Sequence, residues 1–163
     1  MNLPVAILAG GLATRLRPIT EKIPKALVDV AGKPFIMRQL EYLKKQKLTQ
    51  VVLCLGYLGE QVEVVVGNGS SIGLDVRYSS DGPTLLGTGG CLKKALPMLG
   101  EYFFVYYGDS YLPIDFRAVE HAFLACNKPG LMTVLKNDDQ WDKSNVLFKN
   151  KVIIEYNKLT TRR

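Results

Sequence analysis

Residues with the chemistry to handle a phosphate chain stand close together near the start of this sequence. Gly10 and Gly11 are adjacent, Arg15 follows shortly after, and Pro24-Lys25 sets a cation behind a rigid residue. Adjacent glycines let backbone N–H groups approach phosphate oxygens with no Cβ in the way. A guanidinium offers a fixed fork of donors to the same oxygens. The segment lacks the GxGxxG spacing, and no Gly-Lys-Ser/Thr follows, so it is neither of the two familiar glycine loops. The same residues also read as a tight turn beside solvated surface charges.

Charge favours the phosphate reading. Residues 1–33 carry Arg15, Arg17, Lys22, Lys25 and Lys33 against Glu21 and Asp29, so half of the net charge of +6 sits in one fifth of the chain. Positive charge beside a Gly-Gly turn suits a polyphosphate. Nucleic acid is not the expected partner: there is no zinc-finger spacing, no basic run of five and no aromatic RNA-binding signature.

The remaining composition narrows the class. With 163 residues, 47% hydrophobic and 22% charged, the sequence predicts one globular domain with a substantial core. No apolar run approaches the roughly 18 residues of a membrane span. The start, MNLPVAILAGG, lacks a charged n-region and a cleavage site, so a cytoplasmic protein is expected. Cys54, Cys91 and Cys126 are an odd number of thiols without CxxC spacing, and His121 is the single histidine. Reduced, mostly buried thiols are expected; a disulfide framework, a Cys/His zinc site and a Ser–His–Asp hydrolase all fail on the count.

The elements that must position these residues alternate strand and helix. Pro4–Leu8 reads as a buried parallel strand running into Ala9-Gly10-Gly11. Pro18 and Pro24 break the polar stretch 12–33, and Pro34 opens a helix to about Lys47 with Ile36, Leu40 and Leu43 on one face. Gln50–Leu55 is a second strand, Glu60–Val66 a short helix with strand as the alternative, and Leu74–Ser79 a third strand. Ser80–Gly90 is a glycine-rich loop leading into a helix over Gly90–Leu96. Tyr102–Tyr107 is a fourth strand, Asp115 caps a helix to Cys126, and Leu131–Leu135 is a fifth strand. Val146–Phe148 and Val152–Tyr156 form a hairpin. The alternation predicts a three-layer α/β/α domain with a mostly parallel central sheet. Ligands bind such sheets beyond the carboxyl ends of the strands, which is where Gly10-Gly11, Gly87–Gly90 and Asp109 fall.

Residues 8–34, LAGGLATRLRPITEKIPKALVDVAGKP, resemble the signature of the sugar-1-phosphate nucleotidyltransferase family: Gly-Gly-x-Gly-Thr-Arg-Leu-x-Pro, then Pro-Lys, then Gly-Lys-Pro. Leu86-Gly87-Thr88-Gly89-Gly90 resembles the family's nucleoside-binding loop, and Tyr107-Gly108-Asp109 its metal-binding turn. Val152-Ile-Ile-Glu-Tyr-Asn-Lys158 is similar to the strand whose final lysine faces the sugar phosphate. Ala13 stands where the family commonly has glycine, a change to a small methyl, and Asn157 stands where many members have glutamate.

The resemblance implies a Rossmann-like domain of the nucleotide-diphospho-sugar transferase type over residues 1–163, incomplete at its C-terminal side, where the family carries a second metal-binding aspartate. It implies a reaction in which a sugar 1-phosphate oxygen attacks the α-phosphorus of a nucleoside triphosphate and pyrophosphate leaves. Leu8, Ala9, Gly10, Gly11, Thr14, Arg15, Lys25, Asp81, Gly87 and Thr88 would then hold the nucleotide. Asn145, Glu155 and Lys158 would meet the sugar phosphate. Asp109 would bind Mg2+, and Arg15, Lys25 and Asp109 would be catalytic. Similarity favours GTP with a mannose- or heptose-like 1-phosphate; a uridylyl- or thymidylyltransferase and an inactive nucleotide-sugar-binding relative are the alternatives. A related glycosyltransferase expects Asp-x-Asp, and Gly108-Asp109-Ser110-Tyr111 has one carboxylate. Homo-oligomerisation stays open.

Overall fold

A computed structural model describes residues 3–138, 140, 144–150 and 152–157. The chain divides into two compact units, Met1–Asp115 and Phe116–Arg163. The first contains β1 (Val5–Leu8), α1 (Phe35–Lys45), β2 (Gln50–Leu55), α2 (Gly59–Val66), β3 (Asp75–Ser80), α3 (Gly87–Leu99) and β4 (Phe104–Tyr107). The second contains α4 (Phe116–Cys126) and the antiparallel pair β5 (Val146–Lys149) and β6 (Val152–Tyr156).

The four strands of the first unit form a parallel sheet in the order β3-β2-β1-β4. Val5 pairs with Val51 on one side and Phe104 on the other, so β1 is central. Its residues Val5, Ala6 and Ile7 are wholly buried, as a strand covered on both faces must be. Ala6, Val52 and Cys54 pack with Cys91, Ala95 and Leu99 of α3. Right-handed crossovers place α1 and α2 on the opposite face, because β1, β2 and β3 step outward while α3 carries the chain back to β4. The sequence therefore reverses direction between β1 and β4. In an open α/β sheet that reversal leaves a crevice at the carboxyl ends of the two strands, here at Ala9-Gly10-Gly11 and Gly108-Asp109.

Two expectations need correction. Helix α3 starts at Gly87, not Gly90, so the glycine-rich segment forms its first turn. Glycine is a poor helix former by about 1 kcal/mol relative to alanine, and tertiary packing overrides it here. Residues 131–135 adopt no regular secondary structure. Their composition suits a strand, but no partner strand pairs with them among the described residues. Among the described residues, no helix is long and apolar enough to cross a membrane.

Candidate functional site

An open cleft of about 290 Å³ lies at the β1–β4 crevice. Of the residues singled out from sequence, Leu8, Ala9, Gly10, Gly11, Lys25, Asp81, Gly87, Thr88 and Asp109 line it. The ends of β1, β3 and β4, the 25–26 segment and the start of α3 supply them, so residues up to 101 positions apart in sequence meet in one place. Tyr107 and Gly108 of the recognised turn line it as well; Ala26, Leu85 and Cys91 also line it and were not singled out, for each neighbours a recognised motif residue and carries no pattern of its own.

The two adjacent glycines divide their labour. A Cβ on Gly10 would lie 3.0 Å from Gly56 N and 3.3 Å from the Leu55 carbonyl carbon, so Gly10 lets the β1 and β2 loops close on each other. A Cβ on Gly11 would meet nothing within 4 Å. Gly11 is thus the one whose bare backbone faces open space, while Gly10 is spent on packing. Gly87 has φ +68°, a backbone state that glycine adopts without penalty, and also faces open space.

The basic cluster disperses on folding. Lys33 Nζ is held by Glu41 Oε1 at 2.5 Å. Arg15 sits in a 3₁₀ turn, Thr14–Leu16, whose residues are exposed; neither Thr14 nor Arg15 lines the cleft. Lys25 is the cation of the five that does. Its Nζ lies 3.0 Å from Asp109 Oδ2, and the side chains remain 38% and 51% exposed. The lining charges are therefore one ammonium against the carboxylates of Asp81 and Asp109. An anionic polyphosphate entering this cleft needs positive charge from elsewhere.

Asp81 is built into the wall. Its Oδ2 accepts from Leu86 N at 3.0 Å, and its own N–H donates to Leu55 O at 2.8 Å. Its Oδ1 is buried without a hydrogen-bond partner. Burial, with the neighbouring Cys91 and the Asp81 charge behind it, pushes the Cys54 thiol up to about 12. Burial and the same carboxylate raise Cys91. Both thiols are protonated at neutral pH and serve as packing, not as nucleophiles.

Asp109 suits a divalent cation of a particular kind. Among the described residues there is no group of three or more His, Cys, Asp or Glu that could hold a metal alone. A small hard cation shared with phosphate oxygens needs only one or two carboxylates. One half-exposed carboxylate lining the cleft meets that requirement. Asn145 and Glu155 belong to the second unit, where Asn145 O accepts from Asn157 N at 2.9 Å. Lys158 lies outside the described residues.

The nucleotidyl transferase family profile matches residues 5–144. N-acetylmuramate alpha-1-phosphate uridylyltransferase of Neisseria meningitidis serogroup B is 43% identical over 69% of this chain and 49% of its own length. D-glycero-alpha-D-manno-heptose 1-phosphate guanylyltransferase of Campylobacter jejuni is 33% identical over 84% of this chain and 59% of its own. The crystal structure of HddC from Yersinia pseudotuberculosis complexed with GMP-PN superimposes with a TM-score of 0.68 at 35% identity, over 75% of this chain and 54% of that one. The chain thus spans about half the length of the relatives it matches. With a family match over residues 5–144 and a parallel sheet whose reversal point gathers Gly10, Gly11, Lys25, Gly87 and Asp109, the chain belongs to the nucleotidyl transferase family.

Proposed function

We propose that this chain provides the nucleotide-binding part of a sugar-1-phosphate nucleotidyltransferase that takes GTP and a mannose- or heptose-like sugar 1-phosphate. The observation that carries the reading is the convergence of Gly11, Lys25 and Asp109 at the β1–β4 crevice. The nucleophile, a phosphate oxygen, is already an anion, so no general base is required. The new bond joins that oxygen to the α-phosphorus, the α–β bridging bond breaks, and pyrophosphate leaves with the electron pair. Positioning and charge neutralisation then make up the catalysis.

In this reading the Gly11 N–H approaches the phosphate chain and Lys25 neutralises the transferring phosphate. The unpartnered Oδ1 of Asp81 accepts an N–H of the base, and Gly87 leaves room for the nucleoside. Asp109 would hold Mg2+, which supplies the positive charge that the cleft lining lacks. Arg15 would join from its exposed turn, and Asn145, Glu155 and Lys158 would meet the sugar phosphate. The reaction is placed in the cytoplasm, where nucleoside triphosphates are available.

A second base is favoured by one observation. The 43% identical relative is a uridylyltransferase, and uracil presents the single N–H that one free carboxylate oxygen needs. A thermal-shift panel of ribonucleoside triphosphates with Mg2+ decides. Ligand at 100 times its dissociation constant stabilises by about 2.7 kcal/mol. A shift with GTP supports the proposal, a shift with UTP moves it to the second base, and no shift with any triphosphate sinks it.

A further inference from the structure

The Asp109 turn is held from beneath by a residue that no motif marks. Gln39 lies on α1 and is wholly buried among the apolar side chains Ile36, Leu40 and Leu43 of the same helix. Its Nε2 donates to Tyr107 O at 3.1 Å and to Ser110 O at 2.6 Å. Those two carbonyls bracket Gly108 and Asp109. The turn is tied down at other points too. Gly108 N donates to Leu8 O at 2.9 Å, the Tyr106 hydroxyl accepts from Leu112 N at 3.0 Å, and the Tyr42 hydroxyl donates to Ile114 O at 3.0 Å. Gln39 grips both sides of Asp109 with one side chain.

A buried amide is a costly way to fill core space, more so here because Gln39 Oε1 is buried with no hydrogen-bond partner. An apolar residue would fill the same volume. What it could not do is fix two backbone carbonyls of a surface turn against a rigid helix. We infer that Gln39 is a positioning residue: it sets the backbone of the Tyr107–Ser110 turn so that the Asp109 carboxylate is held where a cation shared with the triphosphate can use it. The inference rests on the metal-holding role proposed for Asp109. Residues that orient a ligand from behind typically change metal affinity or activity by about 10–100-fold when removed.

The test is Mn2+ binding by the full-length protein, read from the loss of the free-ion electron paramagnetic resonance signal, with the imido analogues of GTP and of UTP in parallel. Gln39→Leu keeps the apolar volume and removes both donors. It is expected to weaken Mn2+ binding by about 10–100-fold, with metal-free nucleotide binding changed less than about twofold. Leu43→Ala, on the same helix and equally buried, damages packing without touching the turn, and its Mn2+ affinity should stay within about twofold of the parent. Gln39→Asn, which withdraws the amide by one methylene, should show a smaller loss in the same direction and serves if the leucine variant does not fold. An Mn2+ affinity that Asp109→Asn weakens but neither Gln39 variant alters overturns this inference alone. An affinity indifferent to Asp109→Asn overturns the metal reading, and this inference with it.

Discussion

Lys25 Nζ and Asp109 Oδ2 stand 3.0 Å apart across the cleft, although 84 positions separate them in the chain. The cation proposed for a phosphate and the anion proposed for a metal neutralise each other in this pair. With 38% and 51% of the side chains exposed, the pair is easily exchanged for stronger partners, because ion pairs this open contribute about 0–1 kcal/mol. Asp109→Asn should therefore leave the unfolding midpoint nearly unchanged, while turnover in Mg2+ falls by about two to three orders of magnitude. Metal-free nucleotide should bind this variant at least as well as the parent, since one of two lining carboxylates is gone. Calorimetric titration with and without chelator measures this; a variant that keeps its Mg2+-dependent turnover contradicts the assignment.

The unequal roles of the paired glycines give a separable test. Gly10→Ala pushes a methyl to 3.0 Å from Gly56 N, where backbone cannot yield cheaply, and should cost about 1–3 kcal/mol of stability. Gly11→Ala meets nothing and should change stability by less than about 0.5 kcal/mol. The same Gly11→Ala should weaken triphosphate binding by about tenfold to a hundredfold, the loss of one charge-assisted backbone contact. Urea unfolding paired with nucleotide titration reads both effects.

Ala13 is the departure whose consequence lies in the backbone, not in the size of its methyl. It has φ 47° and ψ 44°, the left-handed region, and its carbonyl accepts from the buried Thr20 hydroxyl at 2.9 Å. That conformation costs an alanine about 1–2 kcal/mol. Ala13→Gly relieves it but frees the unfolded chain, which offsets about 0.4–1 kcal/mol. A net gain of about 0.5–1 kcal/mol in stability is expected. A loss of stability in thermal unfolding would count against the turn as described.

Thiol accessibility checks the core independently. Cys126 is exposed, whereas Cys54 and Cys91 are buried. At pH 8 a thiol-reactive dye should label Cys126 quickly and the other two only on unfolding. Burial favours the neutral thiol of Cys54, with its pKa raised from 9.0 to about 12. Stability present below pH 9 is then lost as the pH rises toward 12, because the unfolded thiol releases its proton first. Cys54→Ala should flatten that part of the alkaline fall. Rapid labelling of two or more thiols in the native state would contradict the packing.

Much of this was legible in the sequence because the signals are local. A short apolar run ending in Gly-Gly, and another ending in Gly108-Asp109, mark strands that deliver residues to one sheet edge. Non-local features were not legible. Leu131–Leu135 has the side chains of a strand, yet strands need partners that composition does not name. The dispersal of the basic cluster was hidden too, because Lys33 finds Glu41 only once α1 forms. Gln39 gave no signal: a glutamine on an apolar helix face reads as an irregularity until the carbonyls above it are placed.

The central claim is that Lys25 acts on the transferring phosphate and is not one of several interchangeable surface charges. Single-turnover pyrophosphate release by the full-length protein, at saturating triphosphate and sugar 1-phosphate, tests it most directly. Lys25→Ala should lower the rate by two to three orders of magnitude, about 2.7–4 kcal/mol, the loss of one positioned donor. Lys33→Ala, which removes only the pair with Glu41, and Lys22→Ala should each cost less than about tenfold. Similar losses for all three lysines, erased by added salt, would contradict the account and leave a basic surface in its place.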